Sequence, residues 1–120
     1  MTQLIIAKKN GLTFEKSKIV SAILTLDGVC NCKEGSFIGS IFECEYHKEN
    51  DFIVIRLSDD LTNIVLNNVS DLSLLFSLQI SNLISDSLEI FDTDYSFHLC
   101  LDDIGSLGEF KEKIWNSQYK

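Results

Sequence analysis

The spacing of apolar residues changes period several times along this chain, and each change marks an element. Gln3 to Lys8 is a short apolar run closed by Asn10-Gly11, which reads as a first strand and a turn. Ile19, Val20, Ile23 and Leu24 then recur at helical spacing, with Glu15 and Lys18 off the stripe. They predict a helix over Phe14 to Thr25, capped by Thr13 and ended by Asp27-Gly28. Val29 to Lys33 is a short strand, and Glu34-Gly35 turns the chain into a longer one over Phe37 to His47. There Phe42, Cys44 and Tyr46 point one way and Glu43, Glu45 and His47 the other. Lys48 to Asp51 reads as a hairpin connection. Phe52 to Leu57 is almost continuously apolar apart from Arg56, the pattern of a central strand covered on both faces. A turn at Ser58-Asp59-Asp60 leads to another strand over Asn63 to Asn67.

Ser70 opens a second helix running to about Ser85. Its core stripe is Leu72, Phe76, Ile80, Leu83 and Ile84, widened by Leu75 and Leu78. After Asp71 this helix has no charge, and Ser73, Ser77, Ser81 and Ser85 recur every four residues. An exposed helix face normally carries Lys and Glu, so the serine stripe points to close packing, against the sheet or against another chain. Leu88 to Phe91 is a short strand and Asp92-Thr93-Asp94 a turn. Tyr95, Phe97, Leu99 and Leu101 alternate with Ser96, His98 and Cys100 as a half-buried strand does. Ser106 and Glu109 form a capping box for a last helix, Leu107 to about Gln118, which would dock Phe110, Ile114 and Trp115. The order is β-α-β-β-β-β-α-β-β-α. Consecutive strands joined by tight turns predict an α+β fold: a single antiparallel or mixed sheet with about three helices on one face. The 120 residues fit one domain, 1–120, with enough chain for one core.

Composition narrows the class. Apolar residues make up 45% of the chain, a globular composition. The longest apolar run at the start, Leu4 to Ala7, meets two lysines and a turn, unlike a signal peptide. Leu72 to Ile84 is too short and too interrupted by Ser, Gln and Asn to span a bilayer. The expected compartment is the cytoplasm, which makes Cys30, Cys32, Cys44 and Cys100 free thiols and not disulfides.

Charge adds more. The net charge is −8, and from Leu57 to Phe110 ten acids stand without one Lys or Arg. Such a field repels nucleic acid and anionic membrane and attracts a basic protein surface.

No catalytic set stands out, and the chain reads as a non-enzyme. Cys30, Cys32, Cys44 and His47 offer soft zinc-type ligands. The Cys-x-Cys gap is not a zinc knuckle, however, and Cys44 and His47 face opposite sides of a strand. No metal and no cofactor are therefore expected. Asp92 and Asp94 are separated from Asp102 and Asp103 by a strand of roughly 23 Å, too far for one catalytic pair. The segment from Asp92 also lacks the glycine of a calcium loop. Cys100 and His98 share a strand face, but nothing in the pattern orients the histidine as a base. No glycine-rich phosphate loop is present.

What remains is a surface for a partner. Glu43, Glu45, Asp59, Asp60, Asp92, Asp94, Asp102 and Asp103 would form an anionic face, with Tyr46 and Tyr95 as aromatic anchors; Trp115 is a further candidate. The architecture, the acidity and the segment Phe91-Asp-Thr-Asp-Tyr-Ser-Phe97 before a capped last helix resemble small bacterial immunity proteins of contact-dependent and other polymorphic toxin systems. Those families share no signature, so no residue role is carried over. The resemblance implies a cytosolic protein that binds and blocks a cognate toxin, often a nuclease with a basic cleft. Two other expectations fit the same residues. One is a phage-encoded or other inhibitor of a basic host protein. The other is a structural subunit that homodimerises through the serine-striped helix, so a monomer and a homodimer are both open.

Overall fold

The computed structural model describes residues 2–35 and 38–119. It contains a seven-stranded sheet and three helices, an α+β fold. The strands are β1 (Leu4–Lys8), β2 (Val29–Glu34), β3 (Ser40–Lys48), β4 (Asp51–Ser58), β5 (Asn63–Leu66), β6 (Leu88–Asp92) and β7 (His98–Cys100). The helices are α1 (Lys16–Leu24), α2 (Asp71–Leu83) and α3 (Leu107–Tyr119). The sheet order is β2-β3-β4-β5-β1-β6-β7, and every neighbouring pair is antiparallel. Of the two sheet types open to the sequence, the antiparallel one forms. Tight turns produce most of the order, but β1 is inserted between β5 and β6, a pairing that no local signal announces.

Alternation decides what each strand buries. Leu4, Ile6, Phe42, Cys44, Tyr46, Ile53, Ile55, Leu57, Ile64, Leu66, Leu88 and Ile90 point to one side and form the core beneath the helices. The residues between them point to a face that no helix among the described residues covers. This corrects the reading of Phe52 to Leu57 as doubly covered. Ile53, Ile55 and Leu57 are buried, whereas Phe52 is exposed and Val54 and Arg56 are half-buried. A run of apolar residues can come from a strand whose open face is itself partly apolar, and periodicity alone does not separate the two cases.

The helices follow their stripes. α2 begins at Ser70, whose hydroxyl accepts from the Ser73 amide at 3.3 Å, while the Ser73 hydroxyl accepts from the Ser70 amide at 2.7 Å. Ser73 and Ser77 are fully buried, and each hydroxyl donates to a carbonyl of its own helix, Ser70 O and Ser73 O at 2.8 Å. That part of the serine stripe packs within this chain. Ser81 is half-buried and Ser85 exposed. α1 starts at Lys16 and not at Phe14, and Thr13 does not cap it. Phe14 is instead buried in an extended segment whose amide bonds Leu61 O at 2.7 Å. α3 docks through Phe110, with Ile114 half-buried; Trp115 stays 61% exposed, so it is not the docking residue expected. The Ser106 hydroxyl accepts from the Glu109 amide at 3.2 Å, and Glu109 reaches back to the Gly105 amide. Phe37, the expected start of the third strand, lies outside the described residues.

Candidate functional site

The uncovered sheet face carries the densest chemistry of this fold. Register places its residues in rows across the strands. Cys30 lies opposite Glu45, which lies opposite Val54, and Lys33 lies opposite Glu43, which lies opposite Arg56. Arg56 continues to Val65, Val65 to Ile5, and Ile5 to Phe91. Phe91 pairs with His98, and Ala7 with Glu89 and then Cys100. The centre is therefore apolar: Ile5, Val54, Val65 and Phe91, each half-buried, with Phe52 at 47% exposure beside them.

Hydrogen-bonded pairs of polar side chains rim that centre. Arg56 Nε donates to Glu43 Oε1 at 2.7 Å. His47 Nε2 lies 2.7 Å from Glu45 Oε1, and His98 Nε2 lies 3.0 Å from Glu89 Oε2. The His47 ring stacks on Phe52 with centroids 4.9 Å apart and planes 11° from parallel. Hydrogen bonds from His47 and then Asn31 hold the Glu45 carboxyl below the usual carboxylate range. His98 is thus partnered by Glu89, while Cys100 stands beside Lys9 and holds that amine above its ordinary value. The Cys100/His98 pairing weighed from the sequence does not form the nucleophile–base contact that catalysis needs.

At the β2 end of this face three metal-ligating groups converge. Register places Cys30 opposite Glu45, and a bulge with Asn31 at φ 53° follows between Cys30 and Lys33. The Cys30 thiol, a Glu45 oxygen and a His47 nitrogen lie within 4.8 Å of one another. Asn31 Nδ2 donates to Glu45 Oε1 at 2.9 Å. Cys44 faces the core and is fully buried, as the strand alternation predicts, and burial pushes its thiol up to about 12. Cys32 lies near Cys44, and burial raises its thiol as well. The sequence drew attention to four residues here. The structure keeps Cys30 and His47, leaves out Cys32 and Cys44, and adds Glu45. Cross-strand register was the missing signal, and it is not legible before strand pairing is known.

The expected anionic face is dispersed. Glu43 and Glu45 lie on the open face. Asp59 and Asp60 stand in the β4–β5 turn, and Asp102 and Asp103 follow β7 at the same end of the sheet. Three to four strand spacings, roughly 14–19 Å, separate those pairs. Asp60 is tied up by Ser58 and Thr62, and the bonds from Thr62 and then Ser58 hold its carboxyl below its ordinary range. Asp94 is exposed at the opposite end, in the β6–β7 turn. Asp92 is buried and is not a contact residue, because its carboxylate accepts from the Ser96 amide at 2.7 Å and from the Ser96 hydroxyl. Tyr46 is also removed from any surface. It is wholly buried, its hydroxyl donates to Gln79 Oε1 at 2.7 Å, and its ring meets Phe76 edge-on at 5.5 Å. Tyr95 is 76% exposed and stacks on Phe91, centroids 5.9 Å apart, at the edge of the open face.

Among the described residues concavities also lie elsewhere, two of them at helix junctions. One, of about 610 Å³, opens between α1 and the end of α2 and is lined by Lys8, Phe14, Lys18, Ile19, Leu83 and Asp86 among others. The other, of about 220 Å³, lies between Leu74, Ile114 and Trp115. No helix among the described residues is long and apolar enough to cross a membrane. Neither a family model, nor a curated protein, nor a solved structure matches this chain.

Proposed function

We propose that this chain is a cytosolic binding protein of the toxin-neutralising type, and that its uncovered sheet face takes a basic protein domain as partner. One observation carries the reading. A seven-stranded sheet is covered by helices on one side only, and its other side presents Ile5, Phe52, Val54, Val65 and Phe91 inside a rim of Glu43, Glu45 and Glu89. A contiguous apolar surface with a polar rim is the anatomy of a protein interface. Tyr95 extends it as an exposed aromatic anchor, the residue type favoured at hot spots.

Charge selects the partner. Three carboxylates on this face outweigh Lys33 and Arg56, and the whole chain carries −8. A basic nuclease-type toxin is attracted from a distance, and nucleic acid is repelled. The partner meets a scaffold and not a catalyst, so neutralisation is by occupancy of the toxin's cleft.

The test is binding to the product of the adjacent open reading frame. A 1:1 complex is expected, forming more slowly as salt rises. Val65→Arg and Phe91→Lys should each abolish it while leaving the circular dichroism spectrum unchanged. A complex indifferent to both substitutions, or no complex at all, defeats the reading.

A further inference from the structure

We propose that Cys30, Glu45 and His47 form a binding site for a divalent cation of the zinc class, on the open face at the β2 edge of the sheet. The backbone sets up the site. Cys30 and Glu45 are direct cross-strand partners, and His47 follows Glu45 by two residues on the same strand face. Directly opposed side chains on paired strands begin about 5 Å apart at Cβ, so three such groups aim at one point. Their ligand atoms already lie within 4.8 Å of one another. A tetrahedral ion with bonds of about 2.0–2.3 Å spaces its ligands about 3.3–3.8 Å apart. Closure therefore needs a shift of about 1 Å, which side-chain rotation supplies.

Two of the three ligands have a neighbour that orients them. Asn31 Nδ2 holds Glu45 Oε1 at 2.9 Å, and Phe52 stacks on the His47 ring. Partners of this kind fix ligand orientation at metal centres. Before the cation binds, a hydrogen bond of 2.7 Å joins His47 Nε2 and Glu45 Oε1. The cation replaces that bond: the proton on His47 Nε2 passes through solvent to Nδ1, which frees Nε2 as a ligand, and the Cys30 thiol releases its proton to solvent as the metal–sulfur bond forms. One sulfur, one nitrogen and one oxygen donor select zinc over calcium or magnesium, which take oxygen ligands. Three protein ligands leave a fourth position open, and exposed Cys30 puts that position toward solvent. The bound ion would clamp edge strand β2 to β3.

The experiment uses the isolated full chain, stripped with chelator and kept reduced with a phosphine. Its failure leaves the partner reading untouched. Cobalt(II) is the probe, because thiolate ligation gives a charge-transfer band in the near ultraviolet. The band should saturate at one cobalt per chain and be displaced by zinc, and zinc should raise the thermal midpoint. Cys30→Ser and His47→Gln should lose the band, while Cys32→Ser keeps it. Asn31→Gly, which retains the positive φ without the side chain, should bind about tenfold more weakly. Three results overturn the proposal: no band from folded protein, a band that survives Cys30→Ser, or a band that requires Cys32.

Discussion

Single side chains in this protein are understood by asking which face of the sheet they leave. Glu45 and Tyr46 are neighbours in sequence, yet one ends beside His47 and Asn31 on the open face and the other is sealed against Phe76 and Gln79. Tyr46→Phe removes the bond to Gln79 and should destabilise by about 1 kcal/mol in urea unfolding. Gly28 is a sharper case. It sits at φ 102°, and a Cβ there would collide with the His47 carbonyl. Gly28→Ala should therefore cost about 2–4 kcal/mol by the same measure, from strain and overpacking together. Burial also sets the alkaline limit. An unfolded Cys44 ionises at its ordinary 9.0, whereas the folded thiol is pushed up to about 12 by burial. Tyr46 is raised from 10.0 for the same reason. Between these values the folded chain holds more protons, so unfolding releases them and stability falls as pH rises from about 9 to about 12. Cys44→Ala should flatten that fall. Tyr46 was read from the sequence as an interface anchor; alternation put it with Phe42 and Cys44, but only the helices above it decided that this face was covered.

At the scale of elements, strand β5 offers a direct comparison. Ile64 is fully buried, and Val65, next to it, is half-buried on the open face. Ile64→Ala should cost about 2–5 kcal/mol and Val65→Ala about 1 kcal/mol or less, read from denaturant midpoints. Helix α2 was legible almost to its ends, because Ser70 marks its cap and its stripe is long; Ser70→Ala should cost about 1 kcal/mol. Two other elements were less legible. The alternation from Tyr95 to Leu101 predicts seven residues of strand, yet β7 is His98–Cys100. The Asp92 carboxylate captures the Ser96 amide, Tyr95 adopts φ 55°, and Leu101 enters a 3-10 turn, so the ladder is cut at both ends. α1 is shortened at its start because Phe14 is worth more buried beside Leu61 than in a first helical turn.

Over the whole molecule the protection of the backbone should be graded across the sheet. β1 is hydrogen-bonded on both sides at the centre, whereas β2 is an exposed edge interrupted by a bulge. Hydrogen exchange in β1 should require global unfolding, and β2 should open locally. Zinc should slow exchange in β2 selectively if the ion bridges it to β3. The molecule's other whole-scale property is its charge of −8 set against a face that is mostly apolar. Association with a basic partner should then split by origin: salt should lower the on-rate, and Phe91→Lys should raise the off-rate.

Local information was enough for the element order, the hairpin turns, the α2 cap and the two-sided pattern of β3. Those depend on neighbours a few residues apart, where sterics and hydrogen bonds act directly. Tertiary structure alone decided that β1 inserts between β5 and β6, that the acids stand at two ends of the sheet, that Asp92 and Tyr46 are interior, and that Cys30 meets Glu45 and His47. Each of these depends on which strand lies beside which. Pairing register joins residues far apart in sequence, and a shift of one residue would reverse every face.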